Sequence, residues 1–454
     1  MSAPNISDRL PRYTQYDPMV SVWCATPNTP RTIHRFFDSS PFSPSGQYLV
    51  STQVPYEDRM PVAGDVARIV VTDLTTGEEK IVAETRAWDT QVGAHAQWGA
   101  DDRQLFFNDL DTTQWQPFGV KLDFSSGERT TFEGGVYHVT RDGRFSFAPF
   151  LTRMGLVQAG YGVVVPPQFL PDAAGLADRD GVFVTDLASG QRRLLVSMRT
   201  LVEMLRFDRG PCGNEAGHLV GFHLSANRQA DRILFILRWV RIPSAREAAV
   251  NAVWRRVVRG SRIAGKLLHW PWLRSRLRLR QMVYNTLIVV NSDGTNPRVV
   301  LSAPEWAKGG HHPNWCPDGR SLLMNLNTDG RLRFVRFYPD EDRREVLTTQ
   351  VTGSGHPTLY PDERHIVADA YPRDPEAYGD KTAPIRLVDW KAGTEKRIVR
   401  IESRPRVSGP AFAFRVDLHP AWDRSYTRIA FNGNAGGTRR VYVADVRELG
   451  LQGS

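Results

Sequence analysis

Imidazole can bind a divalent metal or move a proton near neutral pH, and this chain holds its histidines in step with a repeat. The stretch GHHPNWCPDGRSLLMN begins at Gly310. Related stretches follow as GHPTLYPDERHIVAD from Gly355 and LHPAWDRSYTRIAFN from Leu418. Take the first residue of each turn as an anchor, Pro317 in the first stretch, and step back five. The positions reached are Ser39, His95, Val136, His223, His312, His356 and His419. Five of these seven are histidine, although the chain has only 11 histidines in 454 residues. One histidine at the start of a strand is ordinarily structural. Five imidazoles gathered round one opening would repel each other once protonated, so a shared metal or a division of catalytic labour is their natural use.

The elements that must position them are short strands. Seven units read as strand, tight turn and strand: SSPFSPSGQYLVST, AHAQWGADDRQLFFN, GVYHVTRDGRFSFAP, GFHLSANRQADRILFIL and the three stretches above. Asp and Gly suit the turns because Gly tolerates positive φ, and the apolar run after each turn reads as a buried strand. Outer hairpins lie between the units, as in ARIVVTDLTTGEEKIVAE, GVFVTDLASGQRRLLVS and IRLVDWKAGTEKRIVRI. Four strands per unit at a spacing of roughly 40–50 residues predict an all-β chain, a seven-bladed β-propeller occupying residues 1–454 as one domain. The last unit has RRVYVADV and little after it, so the N-terminal MVSVWCAT is expected to supply the missing strand and close the ring. In such a ring the register position marks where the innermost strand begins, at the mouth of the channel.

Bulk properties narrow the class. Hydrophobic residues make up 41% and charged residues 24%, ordinary for a folded soluble protein. No run of 18 apolar residues predicts a spanning helix. The N-terminal MSAPNISDRLPRY lacks a basic start followed by an apolar run. Cys24, Cys212 and Cys316 form neither a disulfide framework nor a CxxC pair, so a reducing cytoplasm is expected. Between Arg241 and Gln281 lie eleven Arg and Lys against the single acid Glu247, a surplus that accounts for the whole net charge of +9. This basic insertion, residues 242–281, falls between the second and third strands of one blade and is expected to be partly helical, with Val253, Trp254, Val257 and Val258 as an apolar face broken by Pro271. A lid over the site that attracts a polyanionic glycan, a membrane-surface helix, nucleic-acid contact and an inert insertion are all compatible with it. Nothing else in the chain supports nucleic acid as the main partner.

The motifs AHAQWGADD, QAGYGVVVP, ILFILRW, HHPNWCPDG, GHPTLYPDERHIVADAYP and DLHPAW followed by GGTRRVYVADV, in this order, resemble the seven-bladed propeller polysaccharide lyases, the group that includes oligogalacturonate and ulvan lyases. The resemblance implies β-elimination on a uronic acid-containing glycan, an acidic oligosaccharide, with a divalent metal, Zn or Mn. It implies that His312, His356 and His419 form the metal set, with Asp417, on the same strand face as His419, as a fourth ligand or a partner of one. His311 is the weaker choice because His312 holds the register. His95 and Tyr161 resemble the base and acid of the ulvan-type enzymes, and His223 matches the catalytic histidine of the oligogalacturonate type; both assignments stay open. Arg179, before GVFVTDL, is a candidate for pairing the substrate carboxylate. The chain departs from the ulvan-type pattern where NDLDTTQWQPFG lacks a second histidine, and Val416 stands where relatives often have cysteine. The alternative is therefore a non-catalytic propeller that binds an acidic glycan or a protein partner and uses a metal only to tie blades together. A peptidase propeller is discounted, since no G-x-S-x-G motif is present.

Overall fold

The computed structural model describes residues 4–170, 178–204, 217–242, 244, 245, 247, 283–403, 413 and 415–451. Its strands form seven four-stranded antiparallel sheets, the blades of a seven-bladed β-propeller. Blade 2 is representative. Its strands Gln97–Trp98, Gln104–Asp111, Gln116–Asp123 and Arg129–Phe132 follow one another outward from the channel.

Local chemistry explains the outer hairpins. In blades 1, 2 and 3 the third strand ends in Asp73, Asp123 or Asp186, whose carboxylate accepts the backbone N–H two residues on at 2.8, 2.9 and 2.9 Å. A glycine at positive φ closes each turn, Gly77 at 77°, Gly127 at 79° and Gly190 at 73°. The second strands are the most buried, as in Leu105, Phe106 and Phe107 of blade 2.

The ring closes as expected. Val22–Cys24 pairs antiparallel with Arg440–Asp445, matching Val22 to Ala444 and Cys24 to Tyr442. It supplies the outer strand of blade 7, so no blade edge is left open at the seam. Blade 1 departs from the simple repeat. Its innermost strand, Thr32–Ile33, is interrupted after Ile33, and the chain re-pairs only at Phe42 opposite Leu49. The intervening residues 34–40 enter the channel.

Because each blade is a meander, the connection between its second and third strands opens on the face where the innermost strand begins. That face carries residues 149–170 and 178–180 of blade 3 and the start of the connection between Arg232–Arg241 and Val283–Asn291 of blade 4. The basic insertion expected at 242–281 belongs to this second connection; all of it except residues 242, 244, 245 and 247 lies outside the described residues, as does the apolar helix face expected there. Among the described residues no helix is long and apolar enough to cross a membrane.

Val22 is 1% exposed at the seam. Val22→Asp buries an unpaired carboxylate there and is expected to cost about 3 kcal/mol or more. Urea unfolding reads this directly, and an unchanged midpoint would show that the seam does not hold the ring.

Candidate active site

The register histidines sit on strained backbone. His95, His312 and His419 have φ of 56°, 59° and 49°, the left-handed region that costs an L-residue roughly 1–2 kcal/mol. The inner strand of blade 5 shifts register between His311 and Asn314, and that of blade 4 between Gly221 and His223. A bulge of this kind turns a side chain out of the pleat and aims it into the channel.

Side chains at the ends of the second strands hold these bulges. Asn108 donates to the carbonyls of Ala94 at 3.2 Å and Val136 at 2.7 Å, and accepts the Val136 N–H at 2.6 Å. Asn325 donates to the Gly355 carbonyl at 2.9 Å. In blade 6 the equivalent residue is Asp369, which accepts the His356 N–H at 2.7 Å and lies 2.9 and 3.0 Å from His356 Nδ1. Gly355, at φ 61°, must be glycine here, since a Cβ would lie 2.1 Å from Asp369 Oδ1. Asn432 accepts the N–H of His34 at 3.0 Å, as Asn108 accepts that of Val136. His34 is therefore the register residue of blade 1, and Ser39 is not. Residues 35–39 are an insertion that displaces the count of five. The repeated Asn or Asp closing FFN, LLMN, VAD and AFN was the available signal for these clamps.

The inserted segment fills the channel with aromatic rings. Phe36 meets the imidazoles of His223, His312, His356 and His419 with ring centroids 5.3, 6.0, 5.6 and 4.6 Å away. Phe37 lies 5.0 Å from His356. Around this plug His356 stacks on His312 at 3.9 Å and meets His419 edge-on at 4.5 Å. His356, His419 and Asp417 place donor atoms within 4.8 Å of one another. That cluster does not include His312, which stacks beside it and uses Nδ1 on the Gly355 carbonyl at 2.9 Å.

The donor set fits a divalent metal. Asp369 lies on Nδ1 of His356, and Nε2 has no partner among the described residues, the arrangement in which a carboxylate orients a metal-binding imidazole. Among the described residues both ring nitrogens of buried His419 also lack a hydrogen bond. Two imidazoles and a carboxylate suit Zn or Mn equally.

The remaining candidates flank this cluster, with one exception. Arg415 links Asp417 at 2.7 Å to the Tyr161 hydroxyl at 3.0 Å, tying Tyr161 to the donor cluster. His95 Nε2 is 4.0 Å from Asp89, too far for a hydrogen bond, and Asp89 accepts the Gly162 N–H at 2.8 Å, so the carboxylate lies between His95 and the Tyr161 segment. His223 shares a 2.7 Å hydrogen bond between Nδ1 and the Tyr137 hydroxyl; its Nε2 lies 3.4 Å from Asp38, outside hydrogen-bond geometry. Arg179 is not brought to the site: it is exposed in its turn, and the buried Asp180 next to it pairs with Arg153. The arginine hydrogen-bonded to the donor cluster is Arg415, which alternation from Asp417 could have flagged. His34, Asp89, Asp369 and Tyr371 were likewise missed. Tyr371, in the ADAYP motif, lies 3.4 Å from His312 Nδ1.

Burial sets the protonation states. It pushes His223 down to about 4 and His138 to about 3, and holds His95, His312 and His419 well below the ordinary imidazole range. It pushes the Tyr161 phenol up to about 12 and the Asp89 carboxyl up to about 6. At neutral pH these five imidazoles are neutral and the phenol keeps its proton.

The fold is that of the oligogalacturonate lyases. No protein-family model and no curated protein matches the chain. An oligogalacturonate lyase solved in complex with manganese aligns at a TM-score of 0.60 and 15% identity, covering 98% of each chain. An oligogalacturonate lyase from Vibrio parahaemolyticus aligns at 0.59 and 14%, covering 98% of this chain and 99% of that one. The chain thus shares their whole seven-bladed architecture.

Two measurements follow from the site. The unfolded chain protonates His223 and His138 below the model-peptide value near 6.5, whereas the native state resists protonation until about 4 and about 3. Unfolding free energy is therefore expected to fall as pH drops from 6.5, by about 1.4 kcal/mol per pH unit for each histidine until its native value is reached. Stability flat from pH 7 to 4.5 in chemical denaturation would contradict neutral burial. Separately, Phe36→Ala is expected to cost about 3–5 kcal/mol through the cavity it leaves, read as a lowered urea midpoint.

Proposed function

We propose that this protein is a metal-containing lyase that cleaves uronic acid-containing oligosaccharides by β-elimination. The observation that carries the reading is the buried cluster of His356, His419 and Asp417, with partnerless imidazole nitrogens, coupled through Arg415 to Tyr161. Its kinship of fold with an oligogalacturonate lyase that binds manganese supports the same reading.

The reaction needs three things. The proton on the carbon next to the sugar carboxylate is too weakly acidic to leave unaided, so the carboxylate charge must be offset. A base must take that proton, and an acid must protonate the leaving 4-linked oxygen as the double bond forms. A divalent cation on His356, His419 and Asp417 would supply a Lewis acid for the carboxylate, with Arg415 adding a guanidinium beside it. His95, paired with Tyr161, and His223 lie on either side of Tyr137, both kept neutral by burial, and are the alternative proton acceptors. Tyr161 retains its phenolic proton and is suited to give it to the leaving oxygen. An acidic oligosaccharide in a reducing cytoplasm is the expected setting. Its buried thiols, Cys24 and Cys316, are free.

A second reading keeps the metal and omits turnover: a propeller that binds an acidic glycan or protein. The observation in its favour is burial, since His356 is 0% and His419 1% exposed.

Elemental analysis of wild type, His356→Ala and His419→Ala, followed by incubation with oligogalacturonate, tests both. Stoichiometric manganese or zinc lost in both variants, with metal-dependent growth of unsaturated-uronate absorbance, is the expected result. Metal without absorbance on any uronate glycan would leave the binding reading. No metal after reconstitution would overturn both.

A further inference from the structure

The opposite mouth of the channel carries a second, differently charged constellation. Each innermost strand runs away from the histidine face and ends at the turn whose first residue anchors the repeat. In blades 3, 4 and 7 that residue is Arg141, Arg228 or Arg424. All three line one cavity on this face, with about 1010 Å³ of empty space when its open mouth is included.

The three guanidinium groups are poorly compensated. Arg424 is half-buried and reaches across the channel from blade 7, donating to the carbonyl of Gly99 in blade 2 and, at 3.4 Å, to that of Arg141 in blade 3. Burial, with Arg141 adding like-charge repulsion, pushes it down to about 10. Arg141 and Arg228 are exposed, and among the described residues neither guanidinium makes an ion pair or a hydrogen bond. Three of the nearby carboxylates are occupied. Asp102 accepts from Ser45 N at 2.9 Å, Asp101 from Arg103 N at 3.0 Å and Asp318 from Arg336 at 2.8 Å. Asp38, which also lines the cavity, accepts from Arg35 through Oδ1 at 3.2 Å, while its Oδ2 has no hydrogen bond among the described residues and lies 3.4 Å from His223 Nε2.

Two buried polar side chains in the lining point independently to a ligand. His138 Nδ1 and Ser225 Oγ, in residues 9% and 1% exposed, have no hydrogen-bond partner among the described residues. A buried polar atom left unpaired costs about 1–3 kcal/mol, and both belong to the same cavity as the arginines. Hydroxyl and imidazole N–H donors beside guanidinium groups suit an anion with several acceptor oxygens.

We propose that this mouth binds a doubly charged phosphate-type oxyanion, held by Arg141, Arg228 and Arg424 with Ser225 and His138 beneath them. The site is separate from the histidine cluster and lies on the other side of the Phe36–Phe37 plug, so it stands whether or not the lyase reading does. Its chemical class is a phosphate ester or free phosphate; a carboxylate carries less charge on fewer oxygens and is the poorer fit.

The test is a phosphorus NMR and calorimetric titration of the full chain with inorganic phosphate at low salt, beside Arg141→Gln/Arg228→Gln and Arg424→Gln. The double variant changes only exposed side chains, so it remains informative if Arg424→Gln fails to fold. Saturable binding to wild type, weakened roughly tenfold or more in the double variant, is expected, with galacturonate binding less tightly. Absence of saturable binding overturns the proposal. So does binding that persists unchanged in the double variant, which would place it elsewhere, for instance on the basic 242–281 segment. Galacturonate binding tighter than phosphate, and lost in the double variant, would reassign the site to a sugar acid.

Discussion

Side-chain amides and a carboxylate at the ends of the second strands hold the candidate site in place. Asn108, Asn325, Asn432 and Asp369 bond to backbone at or beside the register residues, and three of them reach into the next blade. They are buried, where a hydrogen bond lost leaves a polar group with no water to replace it. That cost is what allows histidines to stay at positive φ, a conformation their own side chains disfavour. Strain in the backbone of His95, His312 and His419 is thus supported from neighbouring strands, and the imidazoles are presented to the channel as a consequence.

Desolvation then decides what those imidazoles can be. Packed round Phe36, His223, His312 and His419 are held neutral by burial. The plug that crowds them comes from blade 1, the one blade whose innermost strand is broken. Its residues 35–39 are extra to the repeat, and the aromatic pair they bring divides the channel into two mouths. One mouth carries imidazole, carboxylate, phenol and Arg415; the other carries three arginines with few partners. One ring thereby offers two chemically distinct openings.

Much of this was legible in the chain. Seven units, their outer hairpins and closure by the N-terminal strand all follow from local rules: Asp and Gly in turns, apolar runs in buried strands, a missing partner for the last blade. Because a propeller repeats, a constant offset from the turn also located His95, His223, His312, His356 and His419 at the channel. The same rule failed at Ser39, where an insertion between the clamp and the turn moved the register point to His34.

What periodicity could not supply was contact between blades. That Arg415 bridges Asp417 and Tyr161, that His312 stacks beside the donor cluster instead of joining it, and that Arg179 stays in solvent all depend on how the blades meet around the ring. The sequence by itself determined the fold, the ring closure and the face on which the histidines gather, because strand alternation and turn chemistry act over a few residues. Only the tertiary structure decided which side chains meet, because partners more than a hundred residues apart are set by the closure of the ring and the rotamers its packing allows.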